Sequence, residues 1–127
     1  MPHKKILLAE DDELTQFMMG EMLEQLGFEY EIVGDGVECM ERISRAPRDY
    51  SVVLMDINMP RMSGLKAVRN IRKFEQDPPQ NLPVIAVTAD MHWQNHTRCS
   101  NNGFSQVIAK PVNLDTLDSY IRTHCAA

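Results

Sequence analysis

Short, unbroken apolar runs alternate with amphipathic stretches along the whole chain. Residues 4–9 lead from lysine into Ile6, Leu7, Leu8 and Ala9, as expected of a strand buried on both faces. Beyond an acidic cluster, Leu14, Phe17, Met18, Met22, Leu23 and Leu26 recur at intervals of three and four. They predict a helix with these residues as its apolar stripe, stopped at Gly27. Alternation over 28–33 predicts a second strand, and Gly34-Asp35-Gly36 a turn. Val37, Met40, Glu41 and Ile43 make a weaker helix closed by Pro47. Residues 51–55 form another doubly buried run that ends at Asp56. Pro60 and Gly64 mark a loop before a helix carrying Leu65, Val68, Ile71 and Arg72. Asp77-Pro78-Pro79 is a loop signal, and 82–87 reads as a buried strand ending at Thr88. A polar helical stretch follows from Asp90 to Asn102, stopped at Gly103. Residues 105–109 predict the last strand, and Leu114, Leu117, Tyr120 and Ile121 the last helix. Five βα units in succession imply an α/β fold: a five-stranded parallel sheet with helices on both faces, joined by right-handed crossovers.

Composition narrows the class of protein. A length of 127 residues suits one domain, 1–127, with no room for a separate output domain. With 18 acidic against 13 basic side chains and a net charge of −5, no clustered basic face for nucleic acid is expected. The longest apolar runs, 6–9 and 84–87, fall far short of the roughly 18 residues of a membrane span. No cleavage site follows the first residues, so no signal peptide is expected. Cys39, Cys99 and Cys125 are odd in number and scattered, which suits reduced thiols in the cytoplasm better than a disulfide scaffold or a zinc site.

Ligands of such sheets bind outside the carboxyl ends of the strands, so the residues after each strand matter most. Glu10, Asp11, Asp12 and Glu13 follow the first, Asp56 the third, Thr88 the fourth and Lys110 the fifth. If Glu10, Asp11 and Asp56 lie ~5 Å apart at an effective dielectric near ~20, each pair repels by roughly 3 kcal/mol. One lysine cannot neutralise three acids. A hard divalent cation with oxygen ligands, Mg²⁺ above all, answers the imbalance. It would also let an anionic phosphoryl group approach Asp56, with Thr88 and Lys110 placed to hold its oxygens.

These residues carry a resemblance. Glu10-Asp11-Asp12, Asp56-Ile57-Asn58-Met59-Pro60, Gly64, Val87-Thr88-Ala89 and Lys110-Pro111 stand in order at the ends of the predicted strands. Over its whole length the chain resembles the receiver domain of two-component response regulators. In style it is nearest to receivers of hybrid histidine kinases or phosphorelays. The resemblance implies a flavodoxin-like strand order 2-1-3-4-5 and a phosphoacceptor switch rather than a turnover enzyme. It makes Asp56 the phosphoacceptor and gives magnesium to Glu10, Asp11, Asp56 and the backbone carbonyl of Asn58. Thr88 and Lys110 would read the phosphoryl group, and the Lys110–Pro111 bond would be cis. Asp12 competes with Glu10 as partner of Asp11, and the distance to the first helix and Gly27 favours Glu10. The implied donor is a histidine kinase or histidine phosphotransfer protein, with an output partner on the 88–123 face. Many receivers carry an aromatic switch residue three positions before the lysine, where this chain has Val107.

Other chemistries fit less well. A haloacid-dehalogenase-type phosphohydrolase places its nucleophile after the first strand, whereas Asp56 follows the third. A flavin mononucleotide carrier needs a Ser/Thr/Gly-rich first loop, not Glu10 to Glu13. The acidic run by itself also suits a helix N-terminus, with Asp12 as cap. Met18, Met19, Met22, Met40, Met55, Met59 and Met62 read as core and loop filler, with Met59 and Met62 flanking the site. Cys39 and Cys99 read as buried, Cys125 as a frayed tail. His3, His92, His96 and His124 share no metal-ligand spacing beyond the i, i+4 pair His92/His96, and that pair, without a third ligand, reads as solvated surface. Trp93 is a partial cover for the core or an exposed anchor for a partner.

Overall fold

The computed structural model describes residues 4–125, which leaves His3 outside the described residues. Five strands, β1 (Lys5–Ala9), β2 (Tyr30–Val33), β3 (Tyr50–Asp56), β4 (Val84–Thr88) and β5 (Gln106–Ala109), form one parallel sheet in the order β2-β1-β3-β4-β5. The alternating elements are α1 (Glu13–Gln25), α2 (Gly36–Arg45), α3 (Gly64–Arg72), α4 (His96–Asn101) and α5 (Leu114–Cys125).

Strand periodicity divides the core into two layers. Leu7, Ala9, Val53, Met55, Val84 and Ala86 pack with Cys39 and Ile43 of α2, Val68 and Ile71 of α3, and Cys99 of α4. Ile6, Leu8, Val52, Leu54, Ile85 and Val87 face the other way, onto Met19 and Leu23 of α1 and Leu117 and Ile121 of α5. The doubly buried runs read from sequence are these central strands.

The predicted face of α1 requires correction. Leu14 is 66% exposed and Phe17 65% exposed, and Met18 is also exposed. Of the predicted stripe, Leu23 is buried and Met22 and Leu26 pack on the core, and the helix buries Met19 and Gly20 in place of the others. Gly20 allows the close approach, because a Cβ there would lie 2.9 Å from the Tyr30 hydroxyl. The apolar residues of α1 exceed what one face can bury, and the surplus points to solvent.

The stretch 90–102 is not one helix. A short 3-10 turn, Met91–Trp93, precedes the six-residue α4. Asp90 caps the turn through the His92 N–H at 2.9 Å, and Asn95 caps α4 through the Arg98 N–H at 3.0 Å. Two successive caps start two successive elements. Trp93 is half-buried, packs on the core and lies under the Arg98 guanidinium at 4.5 Å, which makes it a partial cover. Cys39 and Cys99 are buried, and burial pushes the Cys39 thiol up to about 12. Cys125 is no frayed tail: it ends α5 and lies 3.3 Å from the Ser51 hydroxyl. His92 and His96 are exposed, whereas His124 is half-buried. No helix among the described residues is long and apolar enough to cross a membrane.

Candidate functional site

Sheet register places the chemistry. Ala9 pairs with Met55, so Glu10 and Asp56 emerge side by side at the carboxyl edge. Asp56 pairs with Val87, and Thr88 pairs with Ala109, which brings Thr88 and Lys110 beside them. Carboxylate oxygens of Glu10, Asp11 and Asp56 lie within 4.8 Å of one another. That spacing is the one at which three negative charges repel strongly.

Lys110 offsets part of this charge. Its Nζ donates to Glu10 Oε1 at 2.8 Å and lies 3.5 Å from Asp56 Oδ2. Burial works to lower the ammonium, but the Glu10 hydrogen bond and the charges of Asp56 and Glu10 outweigh it and raise its pKa above the usual lysine value. Glu10 is 1% exposed and well anchored. Its second oxygen accepts the Asp12 N–H at 3.1 Å, and its carbonyl accepts from the Gln16 amide at 2.6 Å. Sequence reading passed over Gln16, whose place one helical turn beyond the acidic run was the available signal. Asp11 is exposed at the mouth of the cluster.

Asp12 turns away. Its carboxylate caps α1, accepting from the Thr15 N–H at 2.8 Å and hydroxyl at 2.7 Å, and these bonds lower its pKa. The structure therefore gathers Glu10 and Asp11, not Asp12, around Asp56.

On the other side, Thr88 is buried and its hydroxyl oxygen accepts the Asp90 N–H at 3.0 Å, which leaves its own proton free to donate. The Gln94 amide donates to the Thr88 carbonyl at 3.1 Å, tying the segment before α4 to the strand end. The loop 57–63 leaves Asp56 with the Asn58 N–H 3.3 Å from Asp56 Oδ1. The loop closes where the Gly64 N–H donates to the Ile57 carbonyl at 2.8 Å. The Lys110–Pro111 bond is cis, and so are Asp77–Pro78 and Pro78–Pro79, which the sequence did not announce. Val107 is half-buried against the α2, α3 and α4 side of the core.

Beside Lys110, a cleft of about 180 Å³ is lined by Met18, Met22, Pro111 and Val112, and the exposed Leu14 and Phe17 extend α1's apolar surface. All four of these α1 residues belong to the predicted apolar stripe, and of the four only Met22 packs on the core.

Comparison with known proteins adds to this geometry. A family model described as "Response regulator receiver domain" matches residues 6–122. The chain is 35% identical over 119 residues to a peroxide stress-activated histidine kinase of Schizosaccharomyces pombe, covering 91% of this chain and 7% of the kinase. It is 34% identical over 137 residues to histidine kinase 5 of Arabidopsis thaliana, covering 89% of this chain and 15% of that protein. The chain thus spans a small part of the relatives it matches. Among solved structures, the receiver domain of a sensor histidine kinase from Pseudomonas aeruginosa superposes with a TM-score of 0.84 at 30% identity, covering 98% of both chains. That structure has a magnesium ion coordinated in its active-site cleft. A response regulator receiver domain from Clostridium thermocellum shares the fold, with a TM-score of 0.86 at 24% identity over 97% of this chain and 94% of the other.

Proposed function

Because this chain belongs to the response regulator receiver family of two-component signalling, we propose that Asp56 is its phosphoacceptor and that Glu10, Asp11, Asp56 and the Asn58 carbonyl hold Mg²⁺. The family is a signalling domain rather than a turnover enzyme. The observation that carries the reading is the gathering of three carboxylates within 4.8 Å, with Lys110 bonded to Glu10 and reaching Asp56. The donors fit the ion: all are hard oxygens, and one lysine leaves negative charge over. Magnesium, when bound, neutralises the carboxylates and screens the approach of an anionic phosphoryl group.

The chain's own residues do the rest. An Asp56 oxygen attacks phosphorus, a P–O bond forms, and the donor's N–P bond breaks with its electron pair left on the imidazole nitrogen. Lys110 moves its charge toward the new phosphoryl oxygens, and Thr88 donates its free hydroxyl proton to another. The donor in this reading is a phosphohistidine on a kinase or phosphotransfer protein, which rests on the cleft of Met18 and Met22 beside Lys110 and on the exposed Leu14 and Phe17 of the same helix. Drawing Thr88 inward disturbs its bond from Asp90 and the tie from Gln94, so the segment 89–103 carries the signal to the 88–123 face. Val107 has no ring to swing, which leaves that segment as the main route.

Incubation with acetyl phosphate and magnesium, followed by intact mass, tests the reading. One adduct of about 80 Da per chain is expected, and amide shifts in 88–110 should move with it. Continuous phosphate release from varied esters without an adduct would favour a phosphohydrolase.

Two further outcomes follow from the site. Asp11→Ala removes one repelling charge; since Asp11 is exposed, the screened gain is about 1 kcal/mol, or roughly 4 °C in melting temperature without metal. The same variant should lose the stabilisation that millimolar magnesium gives the parent. Calorimetric melting with and without metal checks both signs. Phe17→Ala should leave stability within about 0.5 kcal/mol, because the ring is largely exposed. It should slow transfer from a phosphorylated histidine protein about tenfold, roughly 1.4 kcal/mol of lost contact. Labelling by acetyl phosphate, which needs no docking surface, should not change. Equal slowing with both donors would place Phe17 in the fold of the site instead.

A further inference from the structure

Among the described residues, four polar or charged side chains are buried: Glu10, Asp35, Asp56 and Thr88. Three belong to the site above. Asp35 does not, yet it follows β2 at the same edge of the sheet. One of its oxygens caps α2 through the Glu38 N–H at 2.9 Å, and the other accepts from Arg61 Nε at 2.7 Å. That guanidinium beside Asp35 holds its carboxyl below the usual range.

Arg61 lies in the loop that leaves Asp56. Its φ of 63° is the one positive value among the described non-glycine residues. A side chain with a Cβ resists that conformation, so the surroundings must impose it. A second tie sits next to it, where the Gly36 N–H donates to the Met62 carbonyl at 3.2 Å. A Cβ on Gly36 would lie 2.5 Å from that same oxygen, so the β2–α2 turn and the loop are in backbone contact. The loop is therefore held from outside at 61 and 62 and closed on itself by the bond from Gly64 to Ile57. Asn58 stands between these points, with its N–H toward Asp56.

We propose that the Asp35–Arg61 ion pair is a latch that positions the phosphoacceptor loop, fixing the backbone at Asn58 relative to Asp56 and Asp11. Asp35 and Arg61 are positioning residues. They set metal affinity and the rate of phosphoryl acceptance without touching either ligand. The inference rests on the reading of the site given above, in which the Asn58 carbonyl faces the metal.

The test is a magnesium titration followed by amide NMR, with acetyl phosphate labelling rates, on the parent, Asp35→Asn, Arg61→Met, the double variant and Arg61→Gly. Asn at 35 keeps an acceptor for the Glu38 N–H and so preserves the cap. Each single variant and the double should weaken magnesium binding by the same factor, about fivefold, since breaking either end opens the latch. Arg61→Gly relieves the backbone and should melt no lower than the parent, yet lose affinity like Arg61→Met. Unchanged magnesium affinity in the single variants would overturn the latch, and so would a double variant whose loss is the product of the two singles. A parent chain that neither binds magnesium nor accepts a phosphoryl group overturns the underlying reading as well, whereas a competent parent matched by its variants overturns the latch alone.

Discussion

Asp56→Asn is expected to reduce phosphoryl incorporation to background while the fold survives. The amide keeps the size of the carboxylate and an oxygen for the Asn58 N–H at 3.3 Å, so the loop after β3 has no reason to move. What disappears is the attacking oxygen, for a neutral amide is a poor nucleophile toward phosphorus. The change also lifts one of three mutually repelling charges. The metal-free variant should therefore melt at or above the parent temperature. Intact mass after treatment with acetyl phosphate and magnesium reads the first effect, and a melting curve the second. A fully labelled variant would remove Asp56 from the role, and label found on Asp11 or Asp12 would name its replacement.

Gly64→Ala should be the most damaging single methyl group near the site. On helix propensity alone, alanine is better than glycine by ~1 kcal/mol. Sterics reverse the sign. The new Cβ would lie 2.1 Å from the Asp56 carbonyl oxygen and 2.8 Å from Met55 Cγ. Neither the backbone of a central strand nor the start of α3 can yield cheaply, since Gly64 also bonds to the Ile57 carbonyl. Overpacking of this kind costs ~1–3 kcal/mol, and the backbone contact puts it at about 3 or above. That is a large share of the ~5–15 kcal/mol that holds a domain together. Gly27→Ala is the control. Its φ of +85° carries a conformational cost, but a Cβ there meets nothing within 4 Å, so a loss near ~1 kcal/mol is expected. Denaturant titration of both variants separates crowding from backbone conformation. Similar losses in the two would show that the contact at Gly64 relaxes.

The central strands were legible because burial on both faces leaves unbroken apolar runs, as at 6–9, 52–55 and 84–87. Glu10, Asp56 and Thr88 each stood at the end of such a run, so locating the strands located them together, while Lys110 followed the less buried edge strand β5. Helix faces were harder. In α1 the apolar residues wrap too far round for periodicity to pick a side, and the choice was made by Gly20 closing on Tyr30, a contact between two elements. Asp90 and Asn95 are both good caps, yet a polar stretch gave no sign that each begins its own segment. The pair Asp35 and Arg61 could not be read at all. Both lie in loops 26 residues apart, and neither a turn signal nor a charge predicts its distant partner.

The bond from Lys110 to Glu10 joins residues 100 positions apart in the chain. Closing so long a loop is entropically expensive, and contacts of this range form late in folding. Lys110 follows β5, a four-residue strand at the edge of the sheet whose sole strand neighbour is β4. Partial openings of a native domain release such edges before the centre. Lys110 thus joins the site only while the final βα unit is docked, and chemical competence reports on that docking.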